Sequence, residues 1–184
     1  MKKIIISGAN GEIGFDITKH FCRGNYQLSL ISGTNEKSYI NLMNHSDQNM
    51  NIIKVVKGNL SDSAQLDSVF LDISSEQDAA ICCIGKFLER KQIQDWDYQY
   101  ILNGLNNNLV APLLFCSKSI PLLKVNSVII IIGSIAGEIG SGSGSGLYSC
   151  AKAAIHNIVK TLAKELSAKR IRVVGIAPGL IQTD

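Results

Sequence analysis

With 184 residues and 19.9 kDa, the chain can close one sizeable core and is too short for two ordinary domains. Hydrophobic residues make up 46% and charged residues 18%, with only 3 prolines, which excludes a disordered, collagen-like or strongly acidic protein. The net charge of +3 comes from scattered Lys and Arg, so no basic footprint points to nucleic acid or an anionic membrane. Apolar stretches such as Val128 to Ile132 are far short of a bilayer span, and the N-terminus MKKIIISGAN has no leader pattern. A cytoplasmic protein is expected. The five cysteines are odd in number and form no CxxC, so neither disulfides nor a metal site is expected, only buried reduced thiols.

In chain order, strand-length apolar runs fall at 4–7, 27–32, 52–58, 79–85, 127–134 and 171–178. Their β-branched content favours strand over buried helix. Between them, helices are predicted at 13–23, 35–44, 62–74, 95–124 and 147–168. Strands apolar throughout and alternating with helices imply an α/β fold: a doubly wound, Rossmann-like parallel sheet in three α/β/α layers, forming a single domain over 1–184. Ligands in such a sheet sit at the carboxyl ends of the strands. The low-complexity segment Gly140 to Gly146 is expected to be a mobile loop over that site rather than an interdomain linker.

Ser7-Gly8-Ala9-Asn10-Gly11-Glu12-Ile13-Gly14 follows the first strand and opens the first helix. Here Gly8 permits a tight turn, Gly11 lets backbone approach a diphosphate, and Gly14 lets helix pack close to sheet. The helix N-terminus adds free N–H groups and partial positive charge. No GK[ST] follows, which disfavours a P-loop. Glu12 would repel phosphate and is expected to point outward. The second strand ends at LISGTNEK with no carboxylate placed for a ribose 2′-hydroxyl, Glu36 lying too far along. Thr34, Asn35 and Lys37 supply donors there instead, so NADP(H) is favoured over NAD(H), unless these residues merely cap the next helix.

Tyr148 and Lys152 are spaced i,i+4 at a helix start, which puts phenol and ammonium on one face. A fixed positive charge favours the phenolate, making a general acid or base suited to a carbonyl/alcohol pair. Ser134 ends the strand VIIIIGS, where its hydroxyl can hold a substrate oxygen.

Taken together, SGANGEIG, NLVAP, GSIAG, YSCAK and IRVVGIAPGLIQTD resemble, in that order, the motifs of the short-chain dehydrogenase/reductase family, its 3-oxoacyl-reductase-like branch in particular. The resemblance implies Tyr148 as proton donor and acceptor, Lys152 favouring its ionisation and holding the nicotinamide ribose, and Ser134 orienting the carbonyl. It implies Asn108 in a proton relay, with Asn103 as a rival placed by its distance from Trp96. For the cofactor it implies contacts from Gly8, Asn10, Gly11, Ile13, Gly14, Thr34, Asn59, Leu60, Cys83, Gly85, Tyr148, Lys152, Pro178, Gly179, Ile181 and Thr183.

The chain also departs from the family. Cys82-Cys83-Ile84-Gly85 replaces Asn-Asn-Ala-Gly, and Asn59 stands for the acidic residue after the third strand, able to meet an adenine amine. GxxGxxG is similar to the branch acting on nucleotide sugars. The substrate-covering elements that follow the Pro-Gly loop in the family are expected to be missing after Asp184. The expected activity is reduction of a ketone or 3-oxoacyl group to the alcohol by hydride transfer. The alternatives are a nucleotide-sugar epimerase or dehydratase, and a catalytically silent dinucleotide-binding module. A small carbonyl or alcohol substrate and a homodimer or homotetramer are expected, with Leu113, Leu114, Phe115, Ile155 and Val159 either at the interface or in the core.

Overall fold

The computed structural model describes residues 1–46 and 48–181. Six parallel strands form one sheet in the order β3-β2-β1-β4-β5-β6, with β1 at Lys2–Ser7, β2 at Tyr26–Ser32, β3 at Ile52–Lys57, β4 at Gln77–Cys82, β5 at Leu123–Ile132 and β6 at Arg172–Ile176. The order reverses between β1 and β4, which opens a crevice at their carboxyl ends.

Because strand side chains alternate faces, the apolar runs feed two cores. Ile5, Ile31, Ala80, Ile129 and Ile131 pack on α3 (Ser63–Phe70), α5 (Ala111–Ser119) and α7 (Gly146–Glu165). Ile4, Ile6, Leu28, Leu30 and Ile81 pack on the other side, against α1 (Glu12–Cys22) and α2 (Glu36–Ser46). This is the expected three-layer arrangement. Phe115 and Ile155 are fully inside it, so of the two roles open to them the core one holds.

Three local differences have physical causes. The helix expected at 95–124 is broken: α4 (Tyr98–Leu105) runs into a π-helical turn at Asn106–Val110, where the Ala111 N–H reaches the Asn106 carbonyl, and α5 follows. Strand β5 begins at Leu123 rather than 127, because Asn126 at φ 68 kinks the strand and its register against β4 jumps between Gln77 and Ala79. The strand expected to reach 85 stops at Cys82, leaving an irregular segment from Cys83 to the short 3-10 turn at Ile93–Asp95. A short α6 (Ala136–Ile139) intervenes between β5 and α7.

The cysteines are all free, but only Cys82 and Cys116 are buried; Cys150 is exposed, contrary to the expectation of buried thiols throughout. It is the fifth residue of α7, two residues past Tyr148.

Candidate active site

The glycine turn is locked by its backbone. Gly8 sits at φ +67, and a β-carbon there would stand 2.8 Å from the Cys83 carbonyl oxygen, while one on Gly14 would stand 2.1 Å from the Gly8 oxygen. Neither position can take a side chain without moving the strand or helix beside it. The turn is pinned to β2 by Ala9 N–H donating to Ile31 O (3.1 Å) and Gly33 N–H donating to Asn10 Oδ1 (2.8 Å). Gly11 is the N-cap of α1 and has no side-chain cap, so the first-turn N–H groups face the crevice uncapped.

Two cavities run along the strand ends. The first, about 390 Å³, takes in Gly8, Asn10, Gly11, Thr34, Asn59 and Leu60. The second, about 300 Å³, takes in Ile13, Gly14, Ser134, Tyr148, Lys152, Pro178, Gly179 and Ile181. Cys83 and Gly85 line both, so the two are halves of one cleft. Every cofactor residue expected from the sequence therefore lies on this cleft, save Thr183, which falls outside the described residues.

Lys152 is 3% exposed, and its ammonium donates to the Ile132 carbonyl (3.1 Å). Burial pushes its pKa below the ordinary lysine value; the thiols of Cys82 and Cys83 pull the other way only if ionised. Burial raises both, Cys83 to about 12, so near neutrality they are uncharged and offset nothing. The ammonium lies 5.7 Å from the centre of the Tyr148 ring. Phe87 also stacks on that ring, with centroids 4.8 Å apart and planes 21° apart, while remaining 75% exposed. The Ser134 Oγ accepts the Ala136 N–H (3.2 Å), which leaves the hydroxyl proton free to donate.

Asn108, wholly buried in the π turn, is engaged at both polar ends: Nδ2 donates to Gly104 O (3.1 Å) and Oδ1 accepts the Lys86 N–H (2.9 Å). A β-carbon at Gly85 would stand 2.9 Å from Lys152 Nζ and 3.3 Å from Asn108 Oδ1, so these two side chains converge over that glycine. Asn103 is exposed and bonded to Gln99, away from the cleft.

Several sequence expectations need adjustment. Asn59 Oδ1 already accepts from both the N–H and the hydroxyl of Ser61 (3.1 and 2.8 Å), so what remains for an adenine is its Nδ2 donor toward a ring nitrogen, not an acceptor for the amine. Asn35 Oδ1 caps Ser38 N–H, Glu36 pairs with Lys57, and Lys37 is absent from the cavity lining, where Ser38 appears instead. Glu12 is exposed yet lines the second half of the cleft. Nothing from Gly140 to Gly146 lines either half: Gly144 O is held by Lys91 N–H (3.1 Å), and the segment lying against Tyr148 is the one carrying Phe87. Lys86 and Phe87, both on the lining, went unnoticed because a stretch such as KFLER reads as an ordinary polar loop.

These residues fit a dinucleotide: a glycine turn that side chains would fill, an uncapped helix start, and one cleft joining them to a buried lysine and a tyrosine. The chain belongs to the short chain dehydrogenase family, whose sequence model matches residues 2–184, and it is an oxidoreductase of that family, which works with a nicotinamide dinucleotide. Among its relatives, an uncharacterized oxidoreductase, YmfI, of Bacillus subtilis is 30% identical over all of this chain and 76% of that protein. The 3-oxoacyl-[acyl-carrier-protein] reductase FabG of Chlamydia pneumoniae is 32% identical over all of this chain and 75% of its own length. In fold, a short-chain dehydrogenase/reductase from Serratia marcescens superposes with a TM-score of 0.90 at 18% identity, covering this whole chain and 76% of the other. BdcA, solved in complex with NADPH, gives 0.87 at 19% identity over 100% and 72%.

Proposed function

We propose that this enzyme is an NADP(H)-dependent reductase that interconverts a ketone or 3-oxoacyl group and its alcohol, with Tyr148 as the proton donor. The observation that carries the reading is the gathering of Ser134, Tyr148 and Lys152 on one cavity continuous with the glycine turn. The 3-oxoacyl class rests on the name of the reductase relatives at 32% and 33% identity.

Bound nicotinamide supplies the hydride that goes to the carbonyl carbon. The Ser134 hydroxyl, its oxygen already held by Ala136 N–H, donates a hydrogen bond to the carbonyl oxygen, keeping its own proton, and fixes that oxygen beside the phenol. Tyr148 then gives that oxygen its proton, and the nearby ammonium of Lys152, buried and so weakly screened, offsets the phenolate charge left behind. Asn108 acts as a positioning residue, holding Lys86 N–H and with it the chain around Gly85, against which the lysine rests.

Preference for the 2′-phosphorylated cofactor is supported by the first half of the cleft, whose lining contains, among the described residues, no carboxylate, only Thr34, Asn35, Ser38 and other neutral groups beside Lys86. Glu36, the nearest acid in sequence, is neutralised by Lys57. The mechanism is tested by Tyr148→Phe, which keeps the ring and its stack on Phe87 and removes only the proton. Turnover of a competent ketone is expected to fall roughly 10²- to 10⁴-fold with cofactor affinity kept. Turnover within twofold of the parent would refute it.

A further inference from the structure

The two halves of the cleft meet at Gly11, Cys83, Ile84, Gly85 and Lys86, and of these Lys86 alone carries a charge. Its backbone is not free to drift, since its N–H is clamped by the buried Asn108 Oδ1 at 2.9 Å. Its side chain is exposed and, among the described residues, joins none of the ion pairs. The other cation on the lining, Lys152, is buried and committed to the Ile132 carbonyl. On the same second half stands the carboxylate of Glu12, in the first turn of α1, where the uncapped helix start would otherwise favour an anion.

A dinucleotide spanning both halves must lay its diphosphate, with two negative charges, across their junction. There the glycine turn offers only N–H groups and a partial positive charge, and Glu12 works against them. We infer that Lys86 is the cation that holds the cofactor's diphosphate, and that Glu12 sets an upper limit on how tightly that diphosphate is held. The inference rests on the cofactor reading above and adds to it a residue outside the glycine turn. An ammonium on a flexible stem suits a diphosphate as a point charge, and its exposure makes the contact sensitive to salt.

The test uses equilibrium binding, read by fluorescence or calorimetry, of three probes: NADPH, ADP-ribose, which keeps the diphosphate and lacks nicotinamide, and adenosine 2′-monophosphate, which lacks the diphosphate. Lys86→Gln is expected to weaken NADPH and ADP-ribose about tenfold each and to leave adenosine 2′-monophosphate within twofold. The residual affinity should depend less steeply on salt than the parent's. Glu12→Gln is expected to tighten the first two probes roughly threefold to tenfold. Should Lys86→Gln leave NADPH within twofold, or weaken adenosine 2′-monophosphate as much as NADPH, the assignment of Lys86 is wrong while the cofactor reading stands. Should the parent bind neither NADPH nor ADP-ribose, both fall.

Discussion

Replacing Lys152 by methionine removes a charge while keeping a side chain of similar length, and the structure predicts a more stable, inactive protein. The ammonium is 3% exposed and, among the described residues, has a single carbonyl partner at 3.1 Å and feels no carboxylate. Burying such a charge costs several kcal/mol, of which one charge-assisted hydrogen bond returns about 1.5–3. Allowing about 1 kcal/mol for the Ile132 carbonyl left without its donor, the variant is expected to gain about 1–2 kcal/mol at pH 7, or about 3–6 °C in Tm for a chain of this size. The gain depends on pH with a definite sign. Burial sets the folded-state pKa below the unfolded value of 10.5, so between the two the unfolded chain holds a proton that the native one has released, and the parent grows more stable as pH rises. Below the folded-state pKa the penalty is fully present. The advantage of methionine is therefore largest near neutrality and shrinks toward pH 10. Urea unfolding of both proteins at pH 7 and pH 9.5, followed by the fluorescence of the single tryptophan, Trp96, measures both statements. A variant less stable than the parent at pH 7, or an advantage unchanged at pH 9.5, would refute the reasoning.

Three more outcomes are expected. Gly8→Ala combines a φ of +67 with a β-carbon 2.8 Å from the Cys83 oxygen, and thermal unfolding should register a loss of about 2–4 kcal/mol; a loss under 0.5 would contradict the turn's geometry. Under native conditions a thiol reagent should modify Cys150 first, and Cys150→Ser should remove that fast phase, since Cys82 and Cys116 are buried and Cys22 and Cys83 partly so. In competitive titration NADPH should bind more tightly than NADH, and tenfold tighter NADH, worth about 1.4 kcal/mol, would overturn the preference.

The strands were legible because each is a short, mostly apolar run, β-branched above all in β1, β5 and β6, whose alternation serves two cores, as in Ile4, Ile5 and Ile6. Ser134, Tyr148 and Lys152 could be found as candidates because strand end, helix start and i,i+4 spacing are local properties, and the glycine turn likewise. What stayed hidden depends on partners distant in sequence. The Asn59 oxygen is occupied by Ser61, and Lys37, a donor by sequence, is absent from the lining, where Ser38, one position further along α2, stands instead. Lys86 and Phe87 owe their places to Asn108 and Tyr148, in later elements of the chain, which no local pattern announces. The break in the long helix was equally silent, since no residue type marks the place where one helical turn widens to hold an extra residue.

That break governs where the chain tolerates a change of length. The π turn at Asn106–Val110 holds one residue more than a regular helix would need, and it lets Asn108 reach Gly104 and Lys86 while Phe115 and Cys116 of α5 still face the core. Losing one residue of the turn would restore a regular helix and keep Phe115 on the core, but it would shift Asn108 relative to Gly104 and Lys86 and open its clamp. Gly140 and Gly142, by contrast, have no atoms within 4 Å of the space a side chain would occupy. Among sister sequences of this chain, insertions and deletions should therefore gather between α6 and α7 and avoid the asparagine run, even though both look like equally unremarkable polar stretches.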